Sequence, residues 1–222
     1  MCGRFTHRYT WSEIHALYRL TTPPANLQPR YNVCPTTTIN TVVAGDGENE
    51  LVPTRWGLIP WWWKKKAKEI PATFNARAET AAKKPMFRSA FEGRRCLIPA
   101  SGYYEWRDTP GGRQPRRDEQ PITIAGLWDE WKDIETGDWV KSCTMIITDA
   151  NEFVREIHDR MPVILEAGNF DSWLDRSAGA ELLKPAANDV LQEWPVSKRV
   201  NSSRTGDEDA TPIDPIELAV AN

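Results

Sequence analysis

Residues 38–56 read TINTVVAGDGENELVPTRW. Two runs rich in β-branched and apolar residues flank Gly45-Asp46-Gly47, so the stretch is predicted to form a hairpin with strands over 38–44 and 51–56. Working outward from it, further strands are expected over 96–98, 102–106, 122–127, 142–148, 163–165 and 190–196. Helix signals are fewer and shorter. Thr10-Trp11-Ser12-Glu13 is a capping box opening a helix to about Leu20, which ends before Pro23-Pro24. Short helices are expected over 76–82, 87–91, 170–174 and 178–183. Short strands at irregular spacing with few long helices indicate an α+β chain: a mainly antiparallel, barrel-like β-sheet with short peripheral helices. No repeat or linker divides residues 1–222, so one domain is expected, with 201–222 a partly loose tail because 201–209 is polar and acidic.

The composition is that of an ordinary globular chain. Its 222 residues are 40% hydrophobic and 27% charged, enough to bury a substantial core without staples. No apolar run approaches a membrane span and no secretory signal opens the chain, so a cytoplasmic protein is expected. Cys2, Cys34, Cys96 and Cys143 form no CxxC pair, and His7, His15 and His158 supply no zinc spacing. Reduced thiols, no metal, no cofactor and a monomer are expected. Net charge is −3, which by itself argues against nucleic acid. The distribution argues otherwise: residues 54–117 carry 15 Lys/Arg and 5 Asp/Glu, net +10, leaving −13 for the remainder. Such asymmetry is the footprint of a basic binding face.

The chain begins MCGRF. Cysteine is small enough that a methionine before it is usually trimmed, and Cys2 would then carry an α-amine and a thiol on adjacent carbons. The amine has a reference pKa of ~7.7–8.0, far below a lysine's ~10.4, so a useful neutral fraction exists at cellular pH. If that amine condenses with an aldehyde, the thiol of the same residue can close a five-membered thiazolidine, an intramolecular step favoured by proximity. Gly3 fits, since a side chain there would crowd the nucleophile. On position alone, an ordinary cysteine after methionine is the commoner reading.

RWGLIPWWWKKKAK (55–68) sets Trp61, Trp62 and Trp63 against four lysines. Exposed aromatic rings stack on unpaired bases at ~1–3 kcal/mol each, and lysines offset phosphate charge. At least one of the three rings is expected in the core, with one or two facing outward. Single-stranded or locally opened DNA with a base-less, ring-opened deoxyribose would present the aldehyde.

The ordered set MCGRF (1–5), RYNVCP (30–35), RWGLIP (55–60), NARAET (75–80), SGYYEW (101–106), AGLW (125–128), IHDRMP (157–162) and PVS (195–197) resembles the SRAP family, the SOS-response-associated peptidases that sense abasic sites in single-stranded DNA. The resemblance covers nearly the whole chain. It implies that Cys2 is the nucleophile, freed from Met1 autocatalytically or by an aminopeptidase, and forms a thiazolidine crosslink to the abasic sugar. Asn75 matches the amide that holds the reacting end, Glu105 the acid/base carboxylate, and His158 the imidazole that handles the opened sugar. Arg77 and Arg160 match phosphate-contacting arginines; Arg4, Asn32, Trp62, Trp63 and Trp106 match the lining of the DNA path. The implied activity is abasic-site crosslinking with lyase-type chemistry, on single-stranded DNA and in association with the nucleoid.

Elementary chemistry fits these roles. Imine formation moves protons between an attacking amine and a departing water, work for a carboxylate beside Cys2. Histidine titrates near neutrality and can protonate a ring oxygen as the sugar opens. His7 and His15 read as structural or exposed. In two places the chain departs from the family pattern. Only RRDE separates Gln114-Pro115 from Gln120-Pro121, so either an edge strand is missing or a flexible stretch is absent; Lys84-Pro85 precedes Met86-Phe87, leaving a DNA contact there open. Two rival readings stand beside the crosslinker. One is an N-terminal-nucleophile amidohydrolase, whose thiol attacks an amide; a +10 segment laced with tryptophan has no role in that chemistry. The other is a non-catalytic single-strand DNA-binding module with Cys2 idle.

Overall fold

In the computed structural model, residues 2–107, 112–116, 121–202 and 205–217 are described. The chain opens with β1 (Phe5–His7), followed by α1 (Trp11–Tyr18). The capping box forms as expected: Thr10 accepts from the Glu13 amide and Glu13 reaches back to the Thr10 N–H. Helix α1 ends two residues early, because Arg19 takes a left-handed conformation at φ 51°. Then follow β2 (Arg30–Val33) and the hairpin β3 (Thr38–Ala44) and β4 (Asn49–Trp56), paired from Thr38↔Arg55 to Ala44↔Asn49. Gly57, at φ 132°, turns the chain out of β4 into the tryptophan loop, a conformation that suits glycine.

Where a helix was expected over 76–82, β5 (Asn75–Arg77) comes first and only α2 (Ala78–Ala81) is helical. Parallel pairing with a long later strand (Met145↔Asn75, Ile147↔Arg77) draws these three residues into the sheet, a tertiary override of the local alanine-rich signal. Pro85 sits in the first turn of α3 (Pro85–Gly93), where its missing N–H costs nothing. Next come β6 (Arg95–Ala100), β7 (Gly102–Tyr103) and β8 (Glu105–Trp106). A strand, β9 (Gly112–Arg116), is present and pairs with β7 and β8; residues 117–120, where the shortened stretch left an edge strand in question, lie outside the described residues.

The strands expected over 122–127 and 142–148 are longer than expected. They are β10 (Ile122–Lys132) and β11 (Trp139–Asp149), one long hairpin. The chain closes with α4 (Glu152–Arg155), β12 (Arg160–Pro162), β13 (Ile164–Leu165), α5 (Phe170–Leu174) and β14 (Gln192–Val196). The helix expected over 178–183 is a short 3-10 turn, Ala180–Leu182.

Strands β11, β4, β3, β6 and β10 pair in sequence, and β10 pairs back to β11, closing a five-stranded barrel. All contacts in it are antiparallel except β11–β4. Alternation then sorts side chains to two buried faces. Val42, Leu97, Ala125, Leu127 and Ile146 face outward under the helices, with Ile14, Phe87, Phe91 and Trp173. Val43, Cys96, Ile98, Ile124, Cys143 and Met145 belong to a second cluster on the inner face, shared with Trp56, Phe5 and Cys2. A second sheet, ordered β14-β9-β7-β1-β2 with β8 on β9, sits beside the barrel and delivers the N-terminal segment to it.

Within the tail expected to be partly loose, the described residues include several that are tied to the rest of the protein. Arg30 pairs with Asp207, the Tyr31 N–H donates to the Asp207 carbonyl, and Arg199 pairs with Asp209. Arg30 and the Tyr31 N–H reach Asp207 from far back in the sequence, and nearby Arg199 holds Asp209. Residues 203–204 and 218–222 lie outside the described residues.

Candidate active site

The site forms where the two sheets meet. Antiparallel pairing sets Phe5 opposite Tyr103 and Thr6 opposite Gly102, and the Tyr104 N–H donates to the Arg4 carbonyl at 3.0 Å. Continued by two residues, that register carries Glu105 alongside Gly3 and Cys2. The Cys2 thiol is hydrogen-bonded to Glu105. From the barrel side, the Asn75 side-chain amide donates to the Cys2 carbonyl at 2.9 Å. Asn75 is itself placed by its neighbour: the Phe74 carbonyl accepts from Trp56 Nε1 (2.9 Å) and from the Met145 N–H (3.0 Å).

Cys2 is 1% exposed, so it is buried rather than standing open to solvent. Met1 lies outside the described residues. Burial, and after it the charge and hydrogen bond of Glu105, push the Cys2 thiol well above the ordinary thiol range. At neutral pH the sulfur therefore keeps its proton.

His158 follows α4. Its Nδ1 accepts from the Arg160 N–H at 3.0 Å and lies 2.9 Å from Asp159 Oδ1. One ring nitrogen serves one of these at a time: neutral, it accepts from Arg160 with the proton on Nε2; protonated, it donates to Asp159. Arg107 links this segment to the strand bearing Glu105, donating through Nε to the Glu156 carbonyl at 3.0 Å and lying 3.4 Å from its carboxylate. Glu105 and His158 each lie two residues from that contact.

The other expected residues are placed as follows. Arg77 is exposed at the end of β5. Arg160 is paired with Glu79 and lies 3.2 Å from Asp149, so its charge is largely matched. Arg4 donates to Asn32 Oδ1 (2.8 Å) and to the carbonyls of Asn201 (2.9 Å) and Ser202 (3.2 Å). Asn32 donates to Ser202 (3.1 Å), and Trp106 Nε1 donates to Asn201 Oδ1. Arg4, Asn32 and Trp106 thus hold the C-terminal segment in this structure. Trp62 and Trp63 are half-buried and tilted against each other, with Trp63 anchored by its carbonyl to Trp131 Nε1 at 2.7 Å; Trp61 is 55% exposed.

Two residues escaped the sequence reading. Tyr103 is buried in the cluster that holds Cys2. Trp139 stands 64% exposed under Lys132, whose ammonium sits 6.0 Å from the ring centroid. No group of three His, Cys, Asp or Glu able to hold a metal occurs among the described residues, and none of their helices is long and apolar enough to cross a membrane.

The family model described as SOS response associated peptidase (SRAP) matches residues 1–203. The chain belongs to the SRAP family. It is 38% identical over 216 residues to the abasic site processing protein YoqW of Bacillus subtilis, covering 92% of this chain and 96% of that one. It is 31% identical to the abasic site processing protein YedK of Escherichia coli, covering 96% and 100%. A crystal structure of a Bacteroides thetaiotaomicron protein superposes with a TM-score of 0.86 at 26% identity, covering 97% of this chain and 100% of that one, so the SRAP fold reading holds for the whole architecture.

Proposed function

We propose that this chain senses abasic sites in single-stranded DNA and shields them by a covalent thiazolidine bond through Cys2, once Met1 has been hydrolysed away. Relatives named for abasic site processing support the substrate. One observation carries the chemistry: Cys2 is held from both sides, its thiol by Glu105 and its carbonyl by Asn75.

The steps follow from these contacts. The freed amine adds to C1′ of the ring-opened sugar, forming the C–N bond and shifting the carbonyl π pair onto oxygen. Proton transfer from nitrogen to that oxygen gives a hemiaminal, whose hydroxyl leaves as water to give the imine. The S–H then adds across C=N, sulfur to carbon and proton to nitrogen, and the ring closes. Because burial keeps the thiol protonated, Glu105 takes the sulfur's proton as the C–S bond forms and returns it to nitrogen. Asn75 orients the amine without holding it protonated, as a carboxylate would. His158, with its proton on Nε2 while Nδ1 accepts from Arg160, supplies a donor for the opening ring oxygen. Trp61 and the lysines at 64–66 and 68 offer a stacking surface and phosphate contacts.

Mixing the Met1-free protein with a uracil-excised single-stranded oligonucleotide and resolving it by denaturing electrophoresis tests the reading. A shifted band from wild type and none from Cys2→Ala is expected. Ammonia release from glutamine without DNA, or equal salt-reversible binding by both proteins with no covalent band, would replace it.

A further inference from the structure

Four tyrosines are buried, and three of their hydroxyls are matched. Tyr9 donates to the Pro99 carbonyl (3.3 Å), Tyr18 shares a hydrogen bond with Thr123 (2.7 Å), and Tyr104 donates to the Tyr31 carbonyl (2.6 Å). The fourth, Tyr103, is 0% exposed, and its hydroxyl has no hydrogen-bond partner among the described residues. A buried hydroxyl without a partner costs stability, so its presence calls for a reason outside packing.

Its placement supplies one. Tyr103 and Glu105 stand two residues apart along the same edge, and Tyr103 packs in the cluster that contains Cys2, while Tyr104 between them packs in the opposite cluster with Val196 and Val200. A second orphan belongs to a residue that touches Cys2: Asn75 Oδ1 is buried and has no hydrogen-bond partner among the described residues, although its amide nitrogen holds the Cys2 carbonyl. One unpartnered donor in the cluster that holds Cys2, and one unpartnered acceptor on the side chain that bonds its carbonyl, are thus present among the described residues. A forming hemiaminal presents the complementary pair, an N–H to be accepted and an oxygen gaining negative charge.

We infer that the Tyr103 hydroxyl is a further catalytic group of this site, donating a hydrogen bond to the carbonyl oxygen of the open-chain sugar as the Cys2 amine adds, while Asn75 Oδ1 accepts from that amine. The inference rests on the crosslinking function proposed above. In the addition step the carbonyl π pair moves onto the oxygen bonded by Tyr103, the amine's proton moves to that oxygen through Glu105, and Tyr103 keeps its own proton throughout. Burial, together with the fields of Cys2 and Glu105, holds the phenol well above its ordinary range, so it remains a donor across the working pH.

Tyr103→Phe removes only the hydroxyl. Three readouts are taken: the single-turnover crosslinking rate constant at saturating abasic oligonucleotide, affinity for the same strand carrying a tetrahydrofuran analogue that lacks the aldehyde, and the melting temperature. The rate constant is expected to fall about a hundredfold with its pH profile unchanged in shape. Analogue affinity should hold, and melting should not drop, since no hydrogen bond is lost. An unchanged rate constant overturns the inference, as does a loss that merely tracks a fall in melting temperature and analogue affinity. If Tyr103→Phe reacts normally while Cys2→Ala is dead, only this inference fails; if Cys2→Ala crosslinks like wild type, the proposed function fails with it.

Discussion

Arg95 and Cys2 sit on opposite faces of the barrel wall, both buried and both polar, and their surroundings differ in kind. The Arg95 guanidinium donates to the carbonyls of Phe91 (3.1 Å) and Ala178 (2.5 Å) and is stacked against the rings of Phe91 and Trp173, 4.7 and 4.4 Å from their centroids. Its donors are spent on the fold. On the Cys2 face, by contrast, Asn75 Oδ1 and the Tyr103 hydroxyl are buried with no hydrogen-bond partner among the described residues. Matched polar groups fasten a structure; on the function proposed above, the unmatched ones near Cys2 are kept for the substrate. The contrast also corrects the charge reading. Arg95 and the Asp129-paired Arg94 fall within the +10 segment, yet one is buried and the other neutralised. The basic face is narrower than the sequence count.

The largest effect expected from breaking this contrast is at Cys2. Cys2→Ala should abolish the covalent band while leaving salt-sensitive binding to single strands, and Cys2→Ser should leave an imine that resolves by strand cleavage, seen as a shorter labelled oligonucleotide. Arg95→Met should do the opposite. Urea unfolding is expected to show a loss of about 3–4 kcal/mol, from stranded carbonyls and lost stacking, while the crosslinking rate per folded molecule stays put.

His7 tests whether any orphan suffices. Its Nδ1 bonds Tyr9 at 2.9 Å, its Nε2 is buried with no hydrogen-bond partner among the described residues, and burial lowers its pKa from 6.5 to about 4. The unfolded chain therefore binds this proton between pH 6.5 and 4 while the folded one does not. His7 contributes stability that is present above pH 6.5 and lost as pH falls through about 4, at most about 3 kcal/mol. His7→Gln should flatten that limb of the stability curve and leave crosslinking unchanged; a crosslinking defect would mean that isolated orphans matter as well. The smallest effect is expected at the surface: Trp61→Ala should weaken non-covalent binding to single strands by about 1 kcal/mol, measured by fluorescence anisotropy, with no change in melting.

Local signals carried far in this chain. The capping box at Thr10 and the hairpin over 38–56 form as read because neighbours within a few residues determine them. What failed was non-local. The three residues Asn75–Arg77 become a strand only through β11, and the acidic run near Asp207 is ordered by Arg30, far back in the chain. Strands β10 and β11 outran their apolar stretches because the Asp129 to Lys132 end is carried by cross-strand pairing with Ser142, Lys141, Val140 and Trp139. At the site, Cys2 stood out by position and chemistry, while Asn75, Glu105 and His158 came only through family resemblance. Tyr103 was invisible: a tyrosine in GYYEW reads as core, and a missing partner exists only in three dimensions.

Peptide mapping of the crosslinked product tests the central claim most directly. Digestion to nucleosides and protease treatment, followed by iodoacetamide, should yield the peptide beginning at Cys2 with the sugar remnant attached and no alkylation of its sulfur, since nitrogen and sulfur are both consumed. A remnant on any of the lysines at 64–68, or a sugar-bearing Cys2 that still alkylates, would contradict the account.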